Sequence, residues 1–314
     1  MTPKLSSPNL TSVDACALAS AQSVRQGERI EVANSSGIEA PATAAPIDGV
    51  DAHIHIFDPR WPRPKPQPSD IWATVADELA KRRRTGLSRC VIVHPSSYGS
   101  DNAALIDALG QLGDTARGVV TVPVDVSEKE LDVFHAQGVR GIRLYLTGTD
   151  RQPSPELIRT HANRLAPRGW HIEFVVREAH LVAAEDVLAD LPCRIVVDHF
   201  AHMQVPLGTR QPAGDTVKRL LDNGHTYMKL AAVYTVSKAP SPRFDDLTEL
   251  AQTLISWAPE RMLWGSDWPH TTAPTQPQVP DEALLFDELA KWAPSRALRQ
   301  AILVENPNRL YWDR

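Results

Sequence analysis

Cysteine is scarce in this chain. Only Cys16, Cys90 and Cys193 occur in 314 residues, and their spacing fits neither a metal site nor a disulfide framework. Cys90 and Cys193 begin apolar runs and read as buried small hydrophobes. An odd, unpaired count suits a reducing cytoplasm, which is the expected location. No apolar run approaches the roughly 20 residues of a membrane span. An excess of one charge is also missing: the formal net charge of −5 gives no support to nucleic-acid or anionic-membrane binding. The basic run Lys81-Arg82-Arg83-Arg84 reads as a solvated helix end.

Residues 1–46 hold few large apolar groups and are rich in Ser, Ala, Thr and Asn. They are expected to form a flexible tail. A signal peptide is the competing reading, but Ala15 to Ala21 is a short apolar run preceded by no basic segment beyond Lys4.

Residues 47–314 have what the first part lacks. With 42% apolar residues in the whole chain, they can build one large core. Short β-branched runs alternate with amphipathic segments. Strands are expected at 50–57, 90–94, 117–122, 139–145, 171–176, 194–199, 226–231 and 261–266. Nearly continuous cores such as Val91-Ile92-Val93 and Ile195-Val196-Val197 fit parallel strands buried on both faces. Helices are expected at 71–85, 102–113, 127–137, 155–166, 180–190, 213–223, 245–257 and 281–293. Ser127 with Glu130 makes a capping-box start, and Ser154-Pro155 an N-cap and N1 pair. Eight β-then-α units predict an α/β fold of the (β/α)₈ TIM-barrel kind. The connection Pro59 to Asp70, with five prolines, is expected to form a lid or pocket wall, and 270–280 is similarly Pro- and Thr-rich.

In a barrel the chemistry lies where strands end. His53 and His55 stand two apart on the first strand and should point the same way, with Asp51 on their side. Asp198-His199 ends the sixth strand. Asp267 follows Trp264-Gly265 at the end of the eighth. An H-x-H alone is equally a pair of satisfied barrel histidines; three such sites converging at strand ends favour an active site. Two imidazoles with a carboxylate can bind a metal, or the imidazoles can donate hydrogen bonds to a carbonyl oxygen.

Several stretches make the resemblance specific. They are V-D-A-H-I-H-I-F-D-P at 50–59, H-P-S-S-Y-G-S-D-N at 94–102, G-V-R-G-I-R at 138–143, V-V-D-H-F at 196–200, Y-M-K-L-A at 227–231, W-G-S-D-W-P-H at 264–270 and E-N-P-N-R-L-Y-W at 305–312. The chain resembles the amidohydrolase superfamily, in its amidohydrolase-2 family. Its pattern is similar to the lactonases that open pyrone-dicarboxylate, sulfomuconolactone and sugar-acid lactone rings. The resemblance implies a carboxylic ester hydrolase acting on a small carboxylated or sulfonated lactone, in aromatic-compound catabolism. It implies Asp267 as the base that activates water, with His53, His55 and His199 around the carbonyl oxygen. Arg143 would grip a substrate acid group, and Ser96, Ser97 and Tyr98 a second one; their alternative role is loop capping. Arg140 is structural in this reading.

Two departures bear on the substrate. Pyrone-dicarboxylate lactonases tend to carry an arginine shortly after the sixth-strand histidine and another after the seventh strand. Here Phe200-Ala201-His202 and Tyr234-Thr235-Val236-Ser237 stand there, which argues for a differently placed or singly charged anion. Tyr145, Arg177, His202 and Tyr234 are candidate specificity residues, with rim packing as the alternative. No lysine or glutamate after strand four and no histidine at the end of strand five completes a strong metal site, and His171 starts its strand at the wrong end. No cofactor is therefore expected. The alternative is one Zn²⁺ held by His53, His55 and Asp267, with His199 as a further ligand. Rival readings are a metal-dependent decarboxylase, a lactone isomerase, and a non-catalytic binding barrel. CO₂ release with chelator sensitivity, a moved ring ester, or a ligand recovered unchanged would mark them in turn. The partner is a small acidic lactone; a homo-oligomer is left open.

Overall fold

The computed structural model describes residues 29–64, 71–148, 152–271 and 279–313. These form eight parallel strands in sequence order: β1 Val50–Ile54, β2 Arg89–Val93, β3 Ala116–Val120, β4 Val139–Leu146, β5 His171–Val176, β6 Ile195–Val197, β7 Thr226–Leu230 and β8 Met262–Trp264. A parallel bridge between Ile54 and Trp268 joins the last strand to the first. The helices between them are α1 Val75–Thr85, α2 Ala103–Leu112, α3 Glu128–Ala136, α4 Pro155–Leu165, α5 Glu178–Ala189, α6 Pro212–Asp222, α7 Thr248–Trp257 and α8 Glu282–Trp292. This is the expected (β/α)₈ barrel.

Local signals set the helix starts. Ser127 and Glu130 exchange both capping-box bonds, and the Ser154 hydroxyl accepts from the Leu157 amide with Pro155 at the first helical position. α1 begins at Val75 rather than 71 because Thr74 and Asp77 form a capping box, while Ala73 pairs with Phe57 in an antiparallel bridge. Past α8 the chain continues through α9 Arg296–Gln300 and two π-helical turns, Ala301–Glu305 and Asn308–Trp312; no helix was expected there.

The strands bury two faces. Outward residues such as Ile54, Ile92, Ile142, Ile172, Phe174 and Trp264 join the large core under the helices. Inward residues Val50, Ala52, Val91, Val119, Val196, Tyr227 and Leu263 form a second apolar cluster with Leu310 and Tyr311. The C-terminal turn thus plugs the barrel's N-terminal end. His171 lies there, its ring edge-on to Tyr311 at 5.2 Å, as the strand-start argument required.

Three expectations are corrected. Asp51 does not share a face with His53 and His55. The four β1 residues from Asp51 to Ile54 face only the three from Cys90 to Ile92 on β2. This bulge reverses the alternation, so Asp51 points out to α1 while both histidines point in. The basic run of α1 is not solvated: Lys81, Arg82 and Arg84 are buried, because acidic groups and carbonyls await them on β1 (Asp51), on α1 itself (Glu78), at Ser88, Thr115 and Asp281, and on the N-terminal segment. The last part of the supposed tail is ordered against the barrel. Ile30 and Val32 are buried, the Trp268 indole donates to the Ala33 carbonyl at 2.7 Å, and Arg84 donates to the Gly37 and Glu39 carbonyls. Tail residues 1–28 lie outside the described residues, as do 65–70 of the proline-rich connection and 272–278 of the second such segment.

Candidate active site

The bulge in β1 and the end of β8 bring His53, His55 and Asp267 together. Nε2 of His53 and Nε2 of His55 each lie 3.3 Å from Asp267 Oδ1. The backbone holds this geometry: the Asp267 amide donates to the His53 carbonyl at 2.9 Å, and the His55 amide to the Trp268 carbonyl at 2.8 Å. Gly265 is required here, since a Cβ at that position would stand 2.5 Å from the His53 Cβ. Asp267 itself has φ +61°. Its other oxygen, Oδ2, accepts a bond from the Tyr234 hydroxyl.

His199 follows β6 in an unusual turn. Residues His199, Phe200, Ala201 and His202 all have positive φ, a conformation costing of order 1–3 kcal/mol per non-glycine residue. The turn sets the His199 ring 4.8 Å from that of His53 and the His202 ring 5.4 Å from that of His199.

A layer of buried charge supports these residues from below. Lys229 on β7 pairs with Glu173 on β5, and its Nζ lies 3.2 Å from His53 Nδ1. Arg143 on β4 donates from Nη2 to Asp198 Oδ2 at 2.8 Å and approaches His199 Nε2 at 3.3 Å. Three carboxylates, Glu173, Asp198 and Asp267, thus face two fixed cations, Arg143 and Lys229. Burial pushes Glu173 up to about 8, with the neighbouring Asp198 charge adding to the effect. Burial also opposes charge on Asp198, yet Arg143, His199 and Lys229 hold it well below the usual carboxylate range. Burial would likewise raise Asp267, but the nearby His55, His199 and His53 hold it far below its ordinary value. Burial, then Lys229, keeps His53 neutral at pH 7, and burial lowers His199.

The hydrogen bonds also assign protons. His55 Nδ1 lies 2.8 Å from the Val93 carbonyl, which only accepts, so Nδ1 carries a proton. Nε2 then faces the Asp267 carboxylate, and two lone pairs cannot meet at that distance. A second proton on His55 or a cation must lie between them. His53 Nε2 and Asp267 Oδ1 are buried without a hydrogen-bond partner of good geometry among the described residues. The donor atoms of His53, His55 and Asp267 lie within 4.8 Å of one another, as do those of His53, Asp198 and His199. The first set fits a divalent ion such as Zn²⁺ in donor type and spacing. The second is already occupied by Lys229 and Arg143.

Above this cluster opens a cavity of about 180 Å³ lined by His55, Ser96, Ser97, Arg143, Tyr145, His199, His202, Asp267 and others. Eight residues named from sequence therefore meet at one opening, and His53 forms part of its floor through Asp267. Three others lie elsewhere. Tyr98 stands behind Phe57, with their rings stacked at 5.9 Å. Arg177 is exposed at the start of α5. Tyr234 is not a wall residue; it grips Asp267. Arg140 bonds to the His135 and Val139 carbonyls and plays no part in the site. Burial, followed by the His199 charge, lowers His202 to about 3, so it meets a ligand as a neutral ring. A second cavity, of about 190 Å³, lies outside the barrel between 205–210 and α7. Its charges already have partners: Arg210 pairs with Glu249 at 3.4 Å, Lys238 Nζ donates to Gln204 at 3.1 Å, and Asp246 accepts from the Lys238 amide at 2.8 Å.

Glu173 and Lys229 were missed from sequence. Their signal was present: each is a lone charge at an inward position of a strand whose neighbours Ile172, Phe174, Met228 and Leu230 are apolar.

Known proteins share this architecture. A family model described as Amidohydrolase matches residues 50–312. A 2-pyrone-4,6-dicarboxylate hydrolase from Comamonas testosteroni is 33% identical over 287 residues, covering 87% of this chain and 92% of that protein. A 4-sulfomuconolactone hydrolase from Rhizobium radiobacter is 30% identical over 273 residues, covering 85% and 91%. A solved structure from Pseudomonas putida, described as a 2-pyrone-4,6-dicarboxylic acid hydrolase, superposes with a TM-score of 0.75 at 28% identity, covering 85% and 98%.

Proposed function

This chain belongs to the amidohydrolase family, and we propose that it is a lactonase that opens a small carboxylated or sulfonated lactone. The observation that carries the reading is Asp267 Oδ1, set 3.3 Å from two imidazole nitrogens at the floor of a cavity that also exposes an arginine. The names of two relatives, a pyrone-dicarboxylate hydrolase and a sulfomuconolactone hydrolase, support acid-bearing lactones.

Asp267 is ionised and takes a proton from water as the water oxygen attacks the ring carbonyl. His53, His55 and His199 surround the carbonyl oxygen and stabilise its developing charge; removing one such donor costs roughly 10²–10³ in rate elsewhere. The ring C–O bond then breaks, and the leaving oxygen takes the proton back from Asp267. Lactone and water become one hydroxy acid. Tyr234 holds the unreactive oxygen of Asp267, so Oδ1 stays aimed at the water. Arg143 supports Asp198 through Nη2 and sets Nε 3.7 Å from Glu173 Oε1, while Nη1 makes only a long 3.5 Å bond to the His94 carbonyl. That edge, with Ser97, is the proposed grip on the substrate's acid group; Ser96, Tyr145 and His202 complete the wall. Tyr98 and Arg177 act from behind it and from the rim.

A proton on His55 Nε2 fills the place beside Asp267 in this reading, and no metal is required. If a divalent ion binds, His53, His55 and Asp267 hold it, and it supplies Lewis-acid polarisation of the carbonyl. The buried free thiols Cys90 and Cys193 fit a reducing cytoplasm, and the substrate class fits aromatic-acid breakdown. Among the described residues no helix is long and apolar enough to cross a membrane.

The test is a panel of carboxylated, sulfonated and neutral lactones, assayed with protein whose metal content has been stripped and verified. Acid-bearing lactones should open fastest, and the stripped protein should keep most of its rate. No lactone opened would sink the reading. A rate that vanishes and returns with stoichiometric Zn²⁺ would replace its metal-free part.

A further inference from the structure

We infer that Asp51 and Lys81, together with Ser266, are positioning residues that hold His53 and Asp267 in register from outside the barrel. The inference rests on the lactonase reading only for the reaction used to measure it. The β1 bulge takes the His53 amide off the strand ladder, and a buried amide needs an acceptor. Asp51 supplies it: Oδ1 accepts from the amides of His53 at 3.2 Å and Ser266 at 3.0 Å. One oxygen thus ties the residue that starts the histidine pair to the residue just before Asp267. The other oxygen accepts from the Ser266 hydroxyl and from Lys81 Nζ, both at 2.6 Å. Ser266 Oγ in turn accepts from the Trp268 amide at 3.1 Å. Lys81 completes the charge balance against Glu78 at 3.0 Å, and its Nζ lies 5.5 Å from the Trp268 ring centre. Asp51, Lys81, Glu78 and Ser266 are all buried.

Such a buried ionic cluster is a weak source of stability compared with apolar packing of the same volume. Its placement has another use. Among the described residues the seam between β1 and β8 has a single parallel bridge, Ile54–Trp268, and the reacting groups sit on both sides of it. A shift of about 1 Å between catalytic groups can cost 10²-fold in rate. The clamp spans the seam and removes that freedom.

The experiment compares Ser266→Ala and Asp51→Asn with Leu254→Ala, a core truncation in α7 on the barrel's outer side, at matched fractions folded. The clamp variants should lower kcat by about 10- to 100-fold while KM stays within about threefold; the control should lose thermal midpoint but little kcat. Ring ¹H–¹⁵N spectra, assigned with His53→Gln and His55→Gln, should show moved His53 and His55 signals in Ser266→Ala and not in Leu254→Ala. If Asp51→Asn fails to fold, Ser266→Ala carries both readouts. Unmoved ring signals, or a kcat loss no larger than the control's, would overturn the inference. Should no lactone be opened even by the unmodified protein, the ring signals still decide the clamp, while the lactonase reading falls separately.

Discussion

The two ends of the barrel interior are built from the same eight strands and have opposite characters. At the N-terminal end, Val50, Ala52, Val91, Val119, Val196 and Leu263 pack around Tyr311. Toward the C-terminal end the same inward rows carry His53, His55, Arg143, Glu173, Asp198, Lys229 and Asp267. The backbone differs as well: positive φ at His199–His202, Ala232, Asp267 and His270 clusters at the C-terminal end. Apolar packing stabilises the fold at one end. At the other, buried charge and strained turns are tolerated because the first end and the outer helix layer hold them. Stability and chemistry are thus separated along one set of strands, as barrels permit.

Substitutions at each end should separate these roles. Asp267→Asn is expected to have the largest effect, a loss of roughly 10²–10⁴ in turnover from removal of the general base, with the fold kept. Single-turnover rates and calorimetry read both, and near-normal turnover in folded protein would take Asp267 out of the mechanism. Tyr311→Ala should do the reverse. It empties the plug and should cost about 3–5 kcal/mol in denaturant unfolding, while the folded fraction keeps its kcat within about threefold. A large kcat loss there would mean that the ends are coupled.

Arg143→Met tests the boundary between the ends, because this side chain both supports Asp198 and reaches the cavity. Loss of a charged hydrogen bond of about 1.5–3 kcal/mol predicts a drop of roughly 10- to 100-fold on acidic lactones, and a smaller one on a neutral lactone. Equal losses would make Arg143 part of the support layer alone. Deleting residues 1–46 should have the smallest effect on chemistry but a measurable one on stability. It exposes the sites of Ile30 and Val32 and strips acceptors from Arg84 and Trp268. About 2 kcal/mol lost implies a midpoint lowered by roughly 4–8 °C in a domain of this size. An unchanged midpoint would show that the segment's packing contributes nothing.

Much of the barrel was legible in the chain. β5 was expected at 171–176 and found there, and β4 extends one residue beyond expectation. Continuous β-branched runs bounded by capping signals leave few alternatives to a parallel strand. The Proline-marked start of α4 was equally plain. His199 and Asp267 were legible because a barrel's strand ends converge. The bulge was not. Alternation predicts Asp51 beside His53, and one extra residue reverses it without leaving a mark in composition. The fate of Lys81 and Arg84 was hidden for a related reason: a basic run reads as solvated unless its acceptors, Asp51 on β1 and the carbonyls of Gly37 and Glu39, are seen to meet it. Tyr234 looked like a wall residue because reach to Asp267 depends on the left-handed Ala232 before it.

By itself the sequence determined periodicity, caps, the order of eight β–α units and the residue types at their ends. Each of these depends on neighbours within a few positions, where chain geometry allows little choice. Only the tertiary structure decided which face each side chain of β1 presents, that Lys229 and Arg143 share one buried layer with three carboxylates, and that Asp51 spans the seam to Ser266. Those outcomes depend on closure of the barrel, which brings residues more than 200 positions apart within hydrogen-bond reach, as with Asp51 and Ser266. The physical reason is that a buried amide or charge must find a partner, and in a closed barrel that partner comes from whichever strand end lies nearest in space.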